Sequence, residues 1–340
     1  MTNATFSVLG AGTWGMALAR MLALNGNGVT VWSAIGSEID GLVATHAHPK
    51  LPGMVVPDSI HFTKDLQEAC TGRDFLLFAV PSVFVRSTAK SAAPFVADGQ
   101  IIIDVAKGIE SGTQMTMSEI ILDEMRRAHG HERVRVVALS GPTHAEEVAV
   151  DLPTTIVAAC TDMDAARQVQ DAMMNENFRV YTNDDVRGVE IGGALKNVIA
   201  LATGIARGMG YGDNAKAALI TRGIAEITRL GAAMGCRPET FSGLAGLGDL
   251  VVTCTSLHSR NLTCGMMLGQ GVPRDEAIQR VGMVVEGIYA IDAAMELMEK
   301  YQVDMPIIRA ANAIINEGAD LKQTVQALML RDKKSEKLGL

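Results

Sequence analysis

Apolar positions in the first half of the chain form short runs that alternate with helical patterns. Runs of strand length lie at residues 6–9, 29–32, 75–80, 101–105, 134–139, 155–159 and 178–181. This alternation predicts a mostly parallel sheet with helices on both faces. Beyond about residue 184, helical patterns dominate, at residues 189–206, 215–234, 275–281, 285–300 and 307–315. We therefore predict an α/β domain at residues 1–187 and a helical domain at residues 188–340.

The helical pattern at residues 189–206 carries a lysine in the middle of a nearly continuous apolar sequence. Its apolar positions leave almost no polar face, which predicts burial on most sides. Lys196 lies in the middle, and a lysine is rarely buried without a partner, so it either extends to a surface or lines a polar pocket. Gly192 and Gly193 each weaken a helix by about 1 kcal/mol relative to alanine. That cost favours a close approach to the backbone, and hence a pocket.

A glycine-rich turn, Gly10-Ala11-Gly12-Thr13-Trp14-Gly15, separates the first strand from the first helix. In this placement, the first glycine allows a tight turn, the second lets the backbone approach a pyrophosphate, and the third lets helix pack on strand. The helix N-terminus then faces the anion. An ordinary tight turn is the alternative interpretation. The second strand ends in Ser33-Ala34, which carries neither the acidic residue typical of NAD sites nor the basic one typical of NADP sites.

Residues that directly follow the predicted strands are candidate ligand contacts, because ligands bind beyond the carboxyl ends of such strands. They are Pro81-Ser82, Ala106-Lys107-Gly108 and Ser140-Gly141-Pro142-Thr143. Lys107 follows a buried strand between a small residue and a glycine, which favours a position over the cleft; a solvated loop lysine is the alternative.

Two clusters in the second half also carry polar chemistry. A glycine-dense turn ends in a single carboxylate, Asp249. Ser259-Arg260-Asn261 precedes a helix, where Ser or Asn is a common N-cap and an arginine beside free amides is suited to phosphate. Glu286 lies at another helix start, where capping is the simpler explanation.

Composition narrows the classes of partner. The chain has 340 residues, with 30 Lys and Arg against 38 Asp and Glu, and its net charge of −8 argues against nucleic acid or an anionic membrane as the main partner. We find no secretory signal and no uninterrupted apolar run of membrane-spanning length, so we expect a cytoplasmic protein without an integral membrane segment. Five widely spaced cysteines without a Cys-x-x-Cys pair indicate neither a disulfide framework nor a metal site.

Together these motifs resemble those of the NAD(P)-dependent glycerol-3-phosphate dehydrogenases of the bacterial, soluble kind. The resemblance covers nearly the whole chain and includes the glycine turn, Lys107-Gly108, residues 140–143, 192–197, 243–249 and 259–261, and Val285-Glu286-Gly287. It implies an NAD(P)-binding domain of the Rossmann type at residues 1–187. It also implies an all-α substrate and catalytic domain at residues 188–340, similar to the C-terminal domain of 6-phosphogluconate dehydrogenase. The implied reaction is reversible reduction of dihydroxyacetone phosphate to sn-glycerol 3-phosphate for glycerophospholipid synthesis, in a homodimer.

The resemblance assigns a role to each matching residue. Lys196 is the implied catalytic residue. The implied substrate contacts are Lys107, Gly141, Thr143, Asp249, Ser259, Arg260 and Asn261. The implied cofactor contacts are Gly10, Gly12, Thr13, Trp14, Gly15, Ser33, Lys107, Ala145, Arg260, Val284 and Glu286. The cofactor is NADP or NAD, because the family favours NADPH but Ser33-Ala34 stands where its members often carry Arg or His.

The chemistry of a ketone reduction is consistent with these roles. Hydride transfer to a carbonyl leaves an alkoxide that needs a proton, so a cationic acid must stand beside the oxygen. Burial and a nearby Lys107 would lower the pKa of Lys196 and let it exchange that proton. Asp249 would orient Lys196, while Arg260, Asn261 and the helix amides would hold the substrate phosphate.

Two other functions fit parts of the pattern. A hydroxyacid dehydrogenase of the 6-phosphogluconate type shares the two-domain plan and a lysine-asparagine pair, but acts on carboxylate substrates. A catalytically silent nicotinamide sensor needs the glycine turn, yet has no use for the convergence of Lys107, Lys196, Asp249 and Arg260.

Overall fold

The chain divides into two compact units, and the computed structural model describes residues 3–333 and 335–336. The first unit comprises Met1–Ala106 and Met117–Val186, and the second comprises Lys107–Thr116 and Arg187–Leu340. Besides Arg187, one segment differs from the predicted ranges: Lys107–Thr116 lies within residues 1–187 but groups with the second unit. The strand before it and the helix after it belong to the first unit, so the chain leaves that unit and returns to it.

The first unit is built on one eight-stranded sheet. Its strands are β1 Thr5–Leu9, β2 Gly28–Trp32, β3 His61–Thr63, β4 Phe75–Phe78, β5 Ile101–Asp104, β6 Arg135–Ser140, β7 Thr154–Ala159 and β8 Phe178–Asn183. Their order in the sheet is β3-β2-β1-β4-β5-β6-β7-β8. All neighbours pair in parallel except β6 and β7, which are antiparallel. The seven predicted runs are all strands, whereas β3 was not predicted.

Helices accompany the sheet and make up the second unit. Those from the first part of the chain are α1 Thr13–Leu24, α2 Gly36–Thr45, α3 Leu66–Cys70, α4 Val85–Ala92, α5 Met117–His129, α6 Ala145–Val148 and α7 Met163–Met173. The rest are α8 Val186–Gly208, α9 Asp213–Ala233, α10 Pro238–Phe241, α11 Asp249–Thr255, α12 Arg260–Gly269, α13 Arg274–Val281, α14 Glu286–Lys300, α15 Pro306–Asn316 and α16 Leu321–Met329. A parallel-dominated sheet followed by a helical half confirms the predicted fold class.

Helix α8, with 23 residues, is the longest helix in the part of the chain that the structure describes. It is long and apolar enough to cross a membrane, as is the bent pair Pro238–Thr255 and Arg260–Gly269, but 94% of the most apolar window of α8 is buried inside the protein. A Cβ added at Gly204 would lie 2.3 Å from the carbonyl oxygen of Leu262, and one at Gly265 would lie 2.2 Å from that of Leu201. Helices α8 and α12 therefore touch backbone to backbone, which only glycine permits.

A buried carboxylate caps helix α15 from a neighbouring helix. Glu226 of α9 is 2% exposed, and its oxygens accept hydrogen bonds from the backbone N–H groups of Ile307, at 2.9 and 3.1 Å, and Ile308, at 3.4 Å. These amides belong to the first turn of α15, where no intrahelical acceptor exists. Burial nevertheless raises the pKa of Glu226 to about 7, because desolvation of the charge outweighs the amide hydrogen bonds.

We expect the Glu226→Gln variant to lose the pH dependence that this carboxylate gives to stability. A carboxyl whose pKa is higher in the folded protein stabilises the fold fully below its unfolded pKa, and that contribution disappears as pH rises through the folded pKa of about 7. The wild type should therefore lose about 3 kcal/mol relative to the variant between pH about 4.5 and 7. Urea unfolding of both proteins across this range measures the difference. Parallel stability curves would contradict the expectation.

Candidate functional site

The glycine turn of the first unit leaves open space at its middle glycine. Gly10 has φ +125°, and a Cβ there would lie 2.7 Å from the carbonyl oxygen of Ala79; one at Gly15 would lie 2.1 Å from that of Gly10. At Gly12 an added Cβ would meet no heavy atom within 4 Å. Gly12 is also the N-cap of α1, and no side chain caps that helix end. The turn thus fits a pyrophosphate, because a pyrophosphate binds where the backbone can approach it closely and where uncapped N–H groups at a helix start can face it.

The end of β2 presents a hydroxyl and a carboxylate. Ser33 is buried, and its hydroxyl donates a 2.6 Å hydrogen bond to Oε2 of Glu38 in the first turn of α2. The same hydroxyl oxygen accepts from the backbone N–H of Ile35 at 3.1 Å. The acidic group that the sequence pattern did not show at this position therefore comes from five residues further along the chain.

The turn after β6 contains residues with different local roles. A Cβ on Gly141 would lie 3.0 Å from Cα of Ile156, so this glycine is required by the close approach of β7. The buried hydroxyl of Ser140 lacks a hydrogen-bond partner among the described residues. Thr143 donates its hydroxyl to the carbonyl of Gly141 at 3.3 Å, and Ala145 begins α6. This turn thus combines a glycine that the approach of β7 requires with a threonine hydroxyl that bonds locally.

A carboxylate shared by two lysines forms the polar centre of the second unit. Asp249 is fully buried. Its Oδ1 accepts a hydrogen bond from Nζ of Lys196, and its Oδ2 accepts one from Nζ of Lys107, each at 2.7 Å. The Lys196 side chain is 7% exposed and that of Lys107 is 16% exposed. The structure thus brings together three of the predicted site residues, from α8, α11 and the segment after β5.

The environment of Lys196 brings its titration near neutrality. The pKa of Lys196 is lowered to about 8, chiefly because burial penalises the charged ammonium; the Lys107 charge lowers it further, while Asp249 opposes both. The ammonium also donates to the hydroxyl of Thr253 at 2.7 Å. Lys196 can therefore hold or release a proton within the working pH range of a cell.

Close backbone packing places Asp249 opposite α8. A Cβ on Gly192 would lie 2.9 Å from the carbonyl oxygen of Ala245, which belongs to the glycine-dense π-turn Leu244–Gly248. The group that approaches Gly192 is therefore another backbone segment of the protein. This turn leads directly into α11, whose first residue is Asp249. The glycine accordingly serves the site by letting the carboxylate approach Lys196.

The residues around the start of α12 have partners within the protein. Ser259 is the N-cap, and its hydroxyl accepts from the N–H of Leu262 at 3.2 Å. Nδ2 of Asn261 donates to Oδ1 of Asn197 at 2.9 Å, and Oδ1 of Asn261 accepts from the N–H of Gly287 at 2.8 Å. Capping and bridging are thus the observed roles of these two side chains.

Arg260 links the start of α12 to the segment before α14. One of its terminal nitrogens donates to the carbonyl of Val284 at 2.9 Å. Glu286 is the first residue of α14, whose N-cap Val285 makes no side-chain cap. Arginine has five N–H donors, so this contact leaves most of the guanidinium's capacity for an anion.

Thr253 belongs to the lysine–carboxylate cluster, although the sequence pattern did not predict it as a site residue. Its hydroxyl accepts from Lys196 and donates to the carbonyl of Asp249 at 2.6 Å. The available signal was its spacing: a residue four positions after Asp249 in a helix lies on the same face. Among the described residues, no group of three or more His, Cys, Asp or Glu side chains is arranged to hold a metal ion.

Comparisons with known proteins give the family. Residues 5–166 match the N-terminal domain, and residues 185–326 the C-terminal domain, of NAD-dependent glycerol-3-phosphate dehydrogenase. A relative from Lactobacillus delbrueckii subsp. bulgaricus, named glycerol-3-phosphate dehydrogenase (NAD(P)+) 2, is 62% identical over 333 residues, which cover 98% of this chain and 99% of the relative. One from Agathobacter rectalis is 54% identical over 334 residues, 98% of each chain.

A solved structure agrees with the sequence matches. The crystal structure of glycerol-3-phosphate dehydrogenase from Coxiella burnetii superimposes with a TM-score of 0.90 at 37% identity, covering 96% of this chain and 99% of that one. Both family domains are present in order and together span most of the sequence. This chain therefore belongs to the NAD-dependent glycerol-3-phosphate dehydrogenase family.

Proposed function

We propose that this protein catalyses the reversible NAD(P)H-dependent reduction of dihydroxyacetone phosphate to sn-glycerol 3-phosphate. The observation that carries the proposal is the buried cluster in which Lys196 and Lys107 share the carboxylate of Asp249. Such a cluster supplies a proton donor with a pKa of about 8 next to a second cation, as reduction of an anionic ketone requires. The family membership and the relatives' names support the same reaction.

The nucleotide would be held by the first unit. Gly10, Gly12 and Gly15 shape the turn, and the first amides of α1, including those of Thr13 and Trp14, would face the pyrophosphate. Ser33 would lie by the adenosine ribose, and Ala145 is a further proposed contact. Lys107, Arg260, Val284 and Glu286 are the proposed cofactor contacts of the second unit. The nicotinamide supplies the hydride when it is bound.

Lys196 is the proposed proton donor. Its ammonium would give one proton to the carbonyl oxygen of the substrate as that oxygen gains negative charge, and the neutral amine would take a proton from glycerol 3-phosphate in the reverse direction. Asp249 and Thr253 hold Nζ at 2.7 Å each, so the donor is oriented before substrate arrives. Lys107 would bind the substrate and, by its charge, lower the pKa of Lys196.

The substrate phosphate would be bound at the start of α12. Arg260 and the first amides of this ten-residue helix are suited to a dianion. The proposed contributions of Ser259 and Asn261 are mainly to shape this helix end, since their side chains already cap and bridge it. Gly141 and Thr143 remain proposed substrate contacts in the first unit. Phosphate binding remote from the carbonyl would position the reacting atoms.

The cofactor preference is proposed to favour NADH over NADPH. Glu38 brings a carboxylate to the end of β2 through the hydroxyl of Ser33. A carboxylate there accepts hydrogen bonds from ribose hydroxyls and repels a 2′-phosphate. This charge distribution supports NADH, whereas the names of the relatives include both cofactors.

Absorbance at the nicotinamide band tests the function. Purified protein is mixed with dihydroxyacetone phosphate and either NADH or NADPH, and we expect oxidation of both with a faster rate for NADH. Carboxylate substrates such as 6-phosphogluconate, assayed with NAD+ or NADP+, serve as the control for a hydroxyacid dehydrogenase and should give no turnover. Binding of nucleotide without turnover on any of these substrates would contradict the proposal and favour a silent sensor.

The cellular setting is part of the same proposal. We infer a cytoplasmic homodimer that supplies glycerol 3-phosphate for glycerophospholipid synthesis. Five cysteines, all buried and none of them in a disulfide, support a reducing compartment. Gel filtration with light scattering measures the oligomeric state.

A further inference from the structure

Lys107 lies two residues before the base of a short hairpin within the second unit. The bridge between Ile109 and Thr116 closes this hairpin, and the N–H of Glu110 donates to the carbonyl of Met115 at 2.9 Å. Ile109 is 5% exposed and belongs to the apolar core of the unit. The base of the hairpin is therefore fixed by packing, two residues along the chain from Lys107, which contacts Asp249.

One carboxylate from α14 holds the tip of the hairpin. Oε1 of Glu296 accepts hydrogen bonds from the hydroxyl of Ser111, at 2.5 Å, and from the N–H of Gly112, at 3.1 Å; Oε2 accepts from the same N–H at 2.9 Å. Nζ of Lys300, also on α14, donates to Oε1 of Gln114 at 2.8 Å. Hydrogen bonds to an ionised carboxylate are the stronger kind. These hydrogen bonds attach the exposed tip of the hairpin to α14.

The same helix also contacts the segment next to Lys196. The N–H of Gly287, in the first turn of α14, donates to Asn261, which in turn donates to Asn197. A Cβ on Gly287 would lie 2.6 Å from the carbonyl oxygen of Asn197, so α14 and α8 are in backbone contact there. Helix α14 thus touches both lysine-bearing segments, one near its start and the other near its end.

We propose that Glu296 is a positioning residue that fixes the hairpin at residues 109–116 on α14 and thereby holds the preceding Lys107 against Asp249. The inference rests on the proposed function, in which Lys107 binds the substrate. A hairpin anchored at both its base and its tip has little freedom to move the Lys107 ammonium. Displacement of a binding group by about 1 Å is enough to cost up to 10²-fold in rate.

A double-mutant cycle on Glu296 and Lys107 tests the proposal. We expect Glu296→Ala to lower kcat/KM by about 10-fold or more, mainly through a higher KM for dihydroxyacetone phosphate. Lys107→Ala should lower it further. In the double variant the two losses should not multiply, because Glu296 acts through Lys107. Glu299→Ala, an exposed carboxylate on the same helix, is the matched control and should leave kcat/KM unchanged.

Two further measurements separate positioning from general support of the fold. Hydrogen exchange of the nucleotide-free protein should be faster at residues 109–115 in Glu296→Ala than in wild type or Glu299→Ala. Glu296→Gln, which keeps one acceptor oxygen, should recover part of the loss in kcat/KM and keeps the test possible if the alanine variant fails to fold.

The outcomes distinguish this inference from the proposed function. Losses that multiply in the double variant, or unchanged exchange at residues 109–115, would overturn the role of Glu296 while the reaction stands. Absence of turnover in the wild type would overturn the proposed function instead, and the exchange measurement would still report whether Glu296 anchors the hairpin.

Discussion

Replacement of Lys196 by methionine should lower kcat for dihydroxyacetone phosphate reduction by about 10³- to 10⁴-fold, near the upper range for loss of a general acid. Methionine keeps most of the length and volume of the side chain but carries no proton. The ammonium of Lys196 is the buried donor held by Asp249 and Thr253 at 2.7 Å each. Stopped-flow or steady-state absorbance at the nicotinamide band measures the loss. Lys322→Met, at an exposed site on α16, controls for removal of a positive charge.

The Lys196→Arg variant separates proton transfer from charge. Arginine keeps a cation but does not release its proton at working pH, so we expect it to be almost as inactive as methionine. In the wild type, oxidation of glycerol 3-phosphate should rise with pH through the Lys196 pKa of about 8, and reduction should fall through the same pKa. An arginine variant with near-normal kcat would argue that Lys196 is not the proton donor. Wild-type rates that do not change with pH near 8 would argue the same.

The fold was largely predictable because the spacing of hydrophobic positions along the chain distinguishes strands from helices. The missed strand β3 has only three residues, His61–Thr63, of which His61 is exposed, so it carries no apolar run. The antiparallel pairing of β6 with β7 was not visible either, because strand direction is set by the connection. Here the connection contains only the four-residue helix α6, too short to be a full crossover helix.

The site was predictable where burial demands a partner. A lysine in an apolar helix needs a counter-charge, and Asp249, the carboxylate of a glycine-dense turn, supplies it. Patterns that serve two purposes were less informative: Ser259 and Asn261 look like phosphate ligands and like capping residues, and the structure shows capping and bridging. The grouping of Lys107 with the second unit depends on contacts such as those of Ile109 and Glu296, which are distant in sequence.

The Asp249→Asn variant should be destabilised by about 3 kcal/mol or more at pH 6, as is typical when one partner of a buried ion pair is removed. Asp249 is fully buried and is the carboxylate shared by Lys196 and Lys107. Asparagine keeps the shape but leaves two ammonium groups without their counter-charge. Because Asp249 opposes the effect of burial, its loss should also lower the pKa of Lys196 further and move the optimum for reduction to more acidic pH.

The pH dependence of this destabilisation identifies its cause. A lysine whose pKa is depressed in the fold stabilises the protein fully above its unfolded pKa, and that contribution is lost as pH falls through the folded pKa. In the variant the folded pKa is lower still, so its deficit relative to the wild type should shrink as pH rises towards about 8, the wild-type value. Urea unfolding at pH 6 and pH 8.5 measures this, with Asp213→Asn as the control for an exposed pair with Lys216. A deficit that is equal at both pH values would mean that lost packing or hydrogen bonding, rather than the uncompensated charge of Lys196, accounts for the destabilisation.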